Sequence, residues 1–159
     1  MDSLSGCVRK YKEQVGKGDI VTAYRGIMKF MSDLKTRMGK NHPECDLSSS
    51  IYFGHMDMTY FAFTPVEFSR KKLKFAIVFV HAYCRFEIWL SAANKKIQSQ
   101  YKTELAGKDL GEFTIADDPS DAIIENVLTD VPDFDRPEAL IRGIEDGTLQ
   151  FIEKIRGLI

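Results

Sequence analysis

The strongest constraint on this chain is an ordering. Three β-favouring runs cluster in the middle of the sequence, and long helical patterns flank them on both sides. Strands that follow one another closely pair most simply as antiparallel neighbours, and flanking helices then cover the sheet. The clearest helical pattern is Ile20, Ala23, Tyr24, Ile27, Met31, Leu34 and Met38, an apolar stripe over five turns. Before it, Val8, Tyr11 and Val15 mark one face of a shorter helix, ended by Gly16 and Gly18, with Asp19 as the N-cap of the next. Gly39, Asn41 and Pro43 stop the long helix, and residues 43–50 read as a loop.

The β runs are 51–63, with Gly54 as a bulge or bend, then 73–80 and 85–90. Pro65 ends the first, and 65–72 forms a polar connection with room for one helical turn. His81 to Cys84 is a short link, so the second and third runs form a hairpin. Ser91 caps a helix whose face is Ile97, Tyr101 and Leu105. Phe113 to Ile115 suits a short strand, and Asp118-Pro119 suits a helix start. Residues 122–129 are compatible with either a short helix or a strand. A last helix opens near Pro137, with Leu140, Ile141, Ile144, Phe151, Ile152 and Ile155 on its face and Gly147 as a candidate break. The expected fold class is α+β: one antiparallel sheet of about 3–5 strands, with two N-terminal helices and C-terminal helices packed on it. Residues 1–159 are expected to form a single domain, with no repeat.

Composition supports a globular chain: 44% of the 159 residues are hydrophobic and 28% charged. No apolar run approaches the ~18 residues needed to span a bilayer, and the first residues lack a signal-peptide pattern. Three cysteines, an odd and sparse set, fit reduced thiols. A cytoplasmic protein with no membrane contact is expected. The net charge of −1 hides an asymmetry: residues 1–108 carry 18 Lys+Arg and 10 Asp+Glu, while 109–159 carry 4 and 13. A basic part and an acidic part can complement each other within one chain or between two copies.

Two constellations carry possible chemistry. In the third β run, Arg85, Glu87 and Trp89 share one face. In the first, His55, Asp57 and Thr59 alternate with Met58, Tyr60 and Ala62; alignment of the two faces would gather carboxylates, a His, an Arg and an indole on one surface. The candidate ligand-binding residues are therefore His55, Asp57, Tyr60, Arg85, Glu87 and Trp89. Cross-strand charge pairing on a solvated face is the plainer explanation of the same residues. The second constellation is a pair of His-x-x-Cys steps, His42/Cys45 and His81/Cys84, the right donors for tetrahedral zinc. Neither has the glycine-bearing turn of a zinc knuckle, so this is a minor alternative and no cofactor is expected.

Other classes are excluded or weakened. Glu87-Ile88-Trp89 lacks the Lys of a metal-dependent nuclease core. The basic groups Arg70-Lys71-Lys72, Lys74, Lys95-Lys96 and Lys102 lack a recognised nucleic-acid motif, and nucleic acid is not an expected partner. The acids of the C-terminal part suit helix N-termini, where carboxylates complement the dipole. There is no Gly-rich phosphate loop, dinucleotide fingerprint or nucleophile elbow.

Several stretches together resemble a family of small uncharacterised bacterial proteins: residues 50–61, 72–79 and 85–90, then Pro132-Asp133-Phe134 and 147–152. The resemblance covers most of the chain from about Tyr11 onward. It implies a bacterial cytosolic single-domain protein and brings no catalytic residue.

Three functions remain on the sequence. The first is binding of a small polar ligand or a partner protein on the sheet face, without catalysis. The second is an enzyme with Asp57 and Glu87 as an acid–base pair. The third is a homodimer joined by its opposed charges, which salt would loosen.

Overall fold

In a computed structural model that describes residues 3–117 and 120–159, five strands form one antiparallel sheet in sequence order. They are β1 (Cys45–Leu47), β2 (Met58–Pro65), β3 (Leu73–Val80), β4 (Arg85–Ala92) and β5 (Ala122–Thr129). The helices are α1 (Leu4–Lys17), α2 (Asp19–Asn41), α3 (Val66–Arg70), α4 (Lys95–Ala106) and α5 (Pro137–Arg156). The chain is α+β.

Register follows from which side chains must be hidden. Phe61 pairs with Ile77, Ile77 with Ile88, and Phe79 with Phe86, so one face of the central strands is aromatic and aliphatic throughout. α2 and α5 lie on that face. Phe30 of α2 meets Phe86 at 5.3 Å between ring centroids, and Phe151 of α5 meets Phe75 at 5.8 Å. Each buried ring is worth several kcal/mol when truncated, about 3–5 kcal/mol for Phe→Ala. The apolar stripes read from the sequence become buried faces from Phe30 to Met38 in α2 and from Leu140 to Ile155 in α5.

Local chemistry moved several boundaries. Asp19 opens α2, and Gly18 (φ +90°) is both C-cap of α1 and N-cap of α2. The expected loop 43–50 contains β1, whose three residues pair with the end of β2, while the Cys45 N–H donates to the His42 carbonyl at 3.1 Å. The run 51–63 pairs regularly only from Met58, apart from a bridge of Tyr52 to Tyr60. β4 continues through Ser91, and Asn94 caps α4 instead, its Oδ1 accepting the Ile97 N–H at 2.9 Å. Phe113 to Ile115 is not a strand; Phe113 packs on Phe151. The ambiguous run 122–129 is β5, decided by pairing with β4. Gly147 does not break α5: a Cβ there would come within 3.0 Å of Leu128 Cδ2, so the glycine lets β5 approach the helix. The expected helix start at Asp118-Pro119 lies outside the described residues.

The two charge classes meet within the chain. Arg37 pairs with Glu138 at 2.6 Å, Lys95 with Asp121 at 2.8 Å and Arg85 with Asp130 at 3.4 Å. The acids therefore serve ion pairs and turns more than helix N-termini; Asp133 Oδ1, for instance, accepts the Asp135 N–H at 3.0 Å. Among the described residues, no helix is long and apolar enough to cross a membrane.

Candidate functional site

The sheet face opposite α2 and α5 carries Met58, Tyr60 and Ala62 from β2, Lys74, Ala76 and Val78 from β3, and Arg85, Glu87, Trp89 and Ser91 from β4. Trp89 lies directly across from Ala76. Small residues at Ala76, Ser91 and Ala92 leave a depression of about 240 Å³, walled by Tyr60, Met58 and Trp89 and closed at one end by the start of α4. That volume is below the ~300 Å³ at which drug-sized ligand sites begin, so it suits a small ligand.

Alternation along β4 builds the wall. Residues 85, 87 and 89 recur at the two-residue period and project together. Glu87 is only 4% exposed, yet both carboxylate oxygens are satisfied. Trp89 Nε1–H donates to Oε1 at 2.8 Å and Arg85 Nε–H donates to Oε2 at 2.9 Å. A buried carboxylate with two charge-assisted or directed donors is stable where a bare one is not. The hydrogen bond that Arg85 donates to Glu87, with burial working against it, holds the guanidinium above its ordinary range. Arg85 also lies over the Tyr83 ring at 4.5 Å. The consequence is an indole pinned in one orientation at the rim of the depression.

The polar groups around the depression differ in availability. Lys95 is engaged by Asp121, and buried Gln98 donates to the Ser120 carbonyl at 3.0 Å. Lys74 has no ion pair or hydrogen bond among the described residues, and its amine is left for a guest.

His55 and Asp57 are not on this face. They lie in the loop before β2, and the odd positions of β2 point to the helix side. The parity expected for β2 was inverted, so Tyr60, not Asp57, joins Arg85, Glu87 and Trp89. The loop has its own logic. Gly54 takes φ +76°, and a Cβ would sit 2.0 Å from the Met58 carbonyl oxygen. Asp57 Oδ1 accepts the His55 N–H at 2.9 Å. Backbone N–H groups of His55 and Met58 hold the Asp57 carboxyl below its usual range. Thr59 Oγ1 donates to the Phe53 carbonyl at 2.7 Å. Its single proton is thereby used, so the 2.8 Å contact with His81 Nε2 has the imidazole as donor. Burial pushes His81 below its ordinary range, against a smaller opposite pull from Asp57.

The His-x-x-Cys steps do not converge. Cys45 pairs with Pro65 at one end of β2, while His81 N–H bonds to the Asp57 carbonyl beyond the other end. A strand of that length separates them by about 25 Å, so they cannot share one ion. No group of three or more His, Cys, Asp or Glu suited to a metal is present among the described residues. His42 instead meets Glu145 at 2.8 Å, and burial, ahead of the Glu44 charge, pushes the Cys45 thiol up to about 11, which leaves it a poor nucleophile.

The depression itself was not legible in the sequence. It depends on Ala76 of β3 falling opposite Trp89, one step from Ser91 on the same face, and on α4 starting at Lys95. The signal that could have found it is the Ala76/Trp89 juxtaposition, which a hairpin register centred on residues 81–84 implies.

Residues 4–159 match the family model described as Domain of unknown function (DUF7000), and the chain belongs to that family. No curated protein and no solved structure matches it.

Proposed function

We propose that this member of the family acts by non-covalent binding, with the depression beside Trp89 taking a small planar anion. The observation that carries the reading is the Arg85–Glu87–Trp89 chain, which uses a buried carboxylate to hold an indole still beside a floor of small residues. A fixed aromatic wall offers a flat face at little entropic cost. Lys74 supplies positive charge, while Asn94 and Gln98, held by the α4 cap and by the Ser120 carbonyl, fix the shape of the closed end. Glu87 supports binding more than acid–base work, because both its oxygens are occupied and Asp57 lies in a separate loop. A bacterial, cytoplasmic setting accords with the reduced cysteines and is part of the same proposal.

Trp89 is the sole tryptophan, so its emission reports on the site directly. Titration with a planar sulfonate probe such as 8-anilinonaphthalene-1-sulfonate is expected to quench Trp89 saturably. Ala76→Leu, which fills the floor, is expected to weaken the probe at least tenfold, and Lys74→Ala to weaken it several-fold. Linear, unsaturable quenching, or equal affinity in the Ala76→Leu variant, would remove the reading.

A further inference from the structure

Helix α1 has an apolar seam that is mostly exposed among the described residues. Leu4, Val8, Tyr11 and Val15 recur at steps of four, three and four, the spacing of a helix–helix seam. Yet Leu4 is 81%, Val8 52% and Tyr11 59% exposed, and α1 buries no residue. A stripe this narrow suits a groove lined by another helix; lying in a lipid surface takes a broader apolar face. The helix is also basic, with Arg9 and Lys12 beside a Lys17–Glu13 pair at 3.5 Å.

A groove of matching character lies elsewhere on the molecule. Ala23, Ile27 and Phe30 of α2 line, with Phe79 and Phe134, an open cavity of about 590 Å³, and Phe30 meets Phe134 edge-to-face at 5.4 Å at its base. Lys29 and Asp33 stand on its rim as an ion pair at 2.7 Å, and Asp135 leaves the rim with one net negative charge. From Thr22 to Asp33 the groove follows about 17 Å of helix, against about 21 Å for the 14 residues of α1. The chain's own α1 cannot reach it. Only Gly18 separates α1 from α2, and a helical hairpin that folds back needs a loop of about 2–5 residues.

We propose that α1 seats in the α2 groove of a second copy of this chain, and that the second copy returns its own α1 in exchange. The exchange is reciprocal, so it closes as a two-fold pair with no open end. The apolar seam covers Ala23, Ile27 and Phe134, and the basic flank of α1 meets Asp135.

Sedimentation velocity of the full chain tests this. The expected result is a species of twice the 18.1 kDa chain mass whose dissociation constant rises several-fold between low and high salt. Two variants are each expected to be monomeric with unchanged far-ultraviolet circular dichroism: Val8→Asp with Tyr11→Asp in the arm, and Ala23→Glu in the groove. All three positions are exposed, so the fold does not depend on them. Mixed together, the two variants keep one intact arm and one intact groove, and partial dimer is expected to return. A monomeric wild-type chain at tens of micromolar, a dimer that survives both variants, or variants that do not complement would each overturn the proposal. None of these outcomes depends on the Trp89 depression.

Discussion

Helices α1 and α5 have the same kind of sequence and opposite fates. Both carry an apolar stripe at helical spacing. α5 buries seven residues from Leu140 to Ile155, whereas α1 buries none. The difference lies in what each helix can reach. α5 follows β5 through residues 130–136 and lies down on Phe75 and Phe113. α1 is joined to α2 through a single glycine and buries none of its residues. An amphipathic pattern states that a helix wants a partner; the connection decides whether the partner is in the same chain.

The comparison can be broken most sharply at Phe151. Phe151→Ala removes a fully buried ring from α5 and is expected to cost about 3–5 kcal/mol in urea unfolding. A cost under 1 kcal/mol would mean that α5 is no more anchored than α1. Next in size is Gly54→Ala, in the loop that abuts His81, the residue on which Tyr24 of α2 stacks at 6.2 Å. The positive φ and the clash with the Met58 carbonyl predict a loss of at least ~2 kcal/mol by the same measurement.

A smaller effect concerns pH at that junction, where the arm-bearing half of α2 meets the sheet. His81 is held below its ordinary value by burial, so between the folded value and the unfolded ~6.5 the unfolded chain binds more protons. Stability is therefore expected to rise with pH through that window and to level off above it, and His81→Gln should flatten the rise. The depressed Asp57 acts in a separate, more acidic window: its contribution is present above the ordinary carboxylate value and is lost as pH falls through the folded one. A melting temperature that is flat between pH 5.5 and 7.5, on the order of one unit either side of the imidazole value, would contradict the His81 assignment. The smallest effect is on α1. Val8→Ala is expected to shift unfolding by under about 0.5 kcal/mol in solutions dilute enough for single chains, and a larger shift there would show that α1 has a partner within its own fold.

The residues show why some of this was legible and some not. Ile20 to Met38 and Leu140 to Ile155 repeat long enough for the period to be unmistakable, and the hairpin around residues 81–84 is bracketed by two clear β runs. β2 is harder because both its faces are hydrophobic: Tyr60 and Phe61 give no cue to which one is inside, so its parity rests on pairing with β3. β1 has three residues and no pattern of its own, and β5 mixes Ile123, Ile124 and Glu125 in a way that only β4 resolves. The candidate site was legible as far as it lay on one strand. Arg85, Glu87 and Trp89 needed only the period of two; Tyr60 is a sequence candidate beside His55 and Asp57, but its side of the sheet, like the part played by Lys74, needed the register of three strands.

The sheet order carries a kinetic consequence. Every strand pairs with its neighbour in sequence, so most native pairings join residues close along the chain, the condition under which the entropy of closing loops is smallest and folding is quickest. β2, β3 and β4 are joined by connections of a few residues and can zip as a unit. β5 must wait for residues 93–121, with the whole of α4, to be laid down first. β5 thus closes the longest connection in the sheet, and its pairing of Val127 with Glu87 completes the backbone ladder on the outer side of β4.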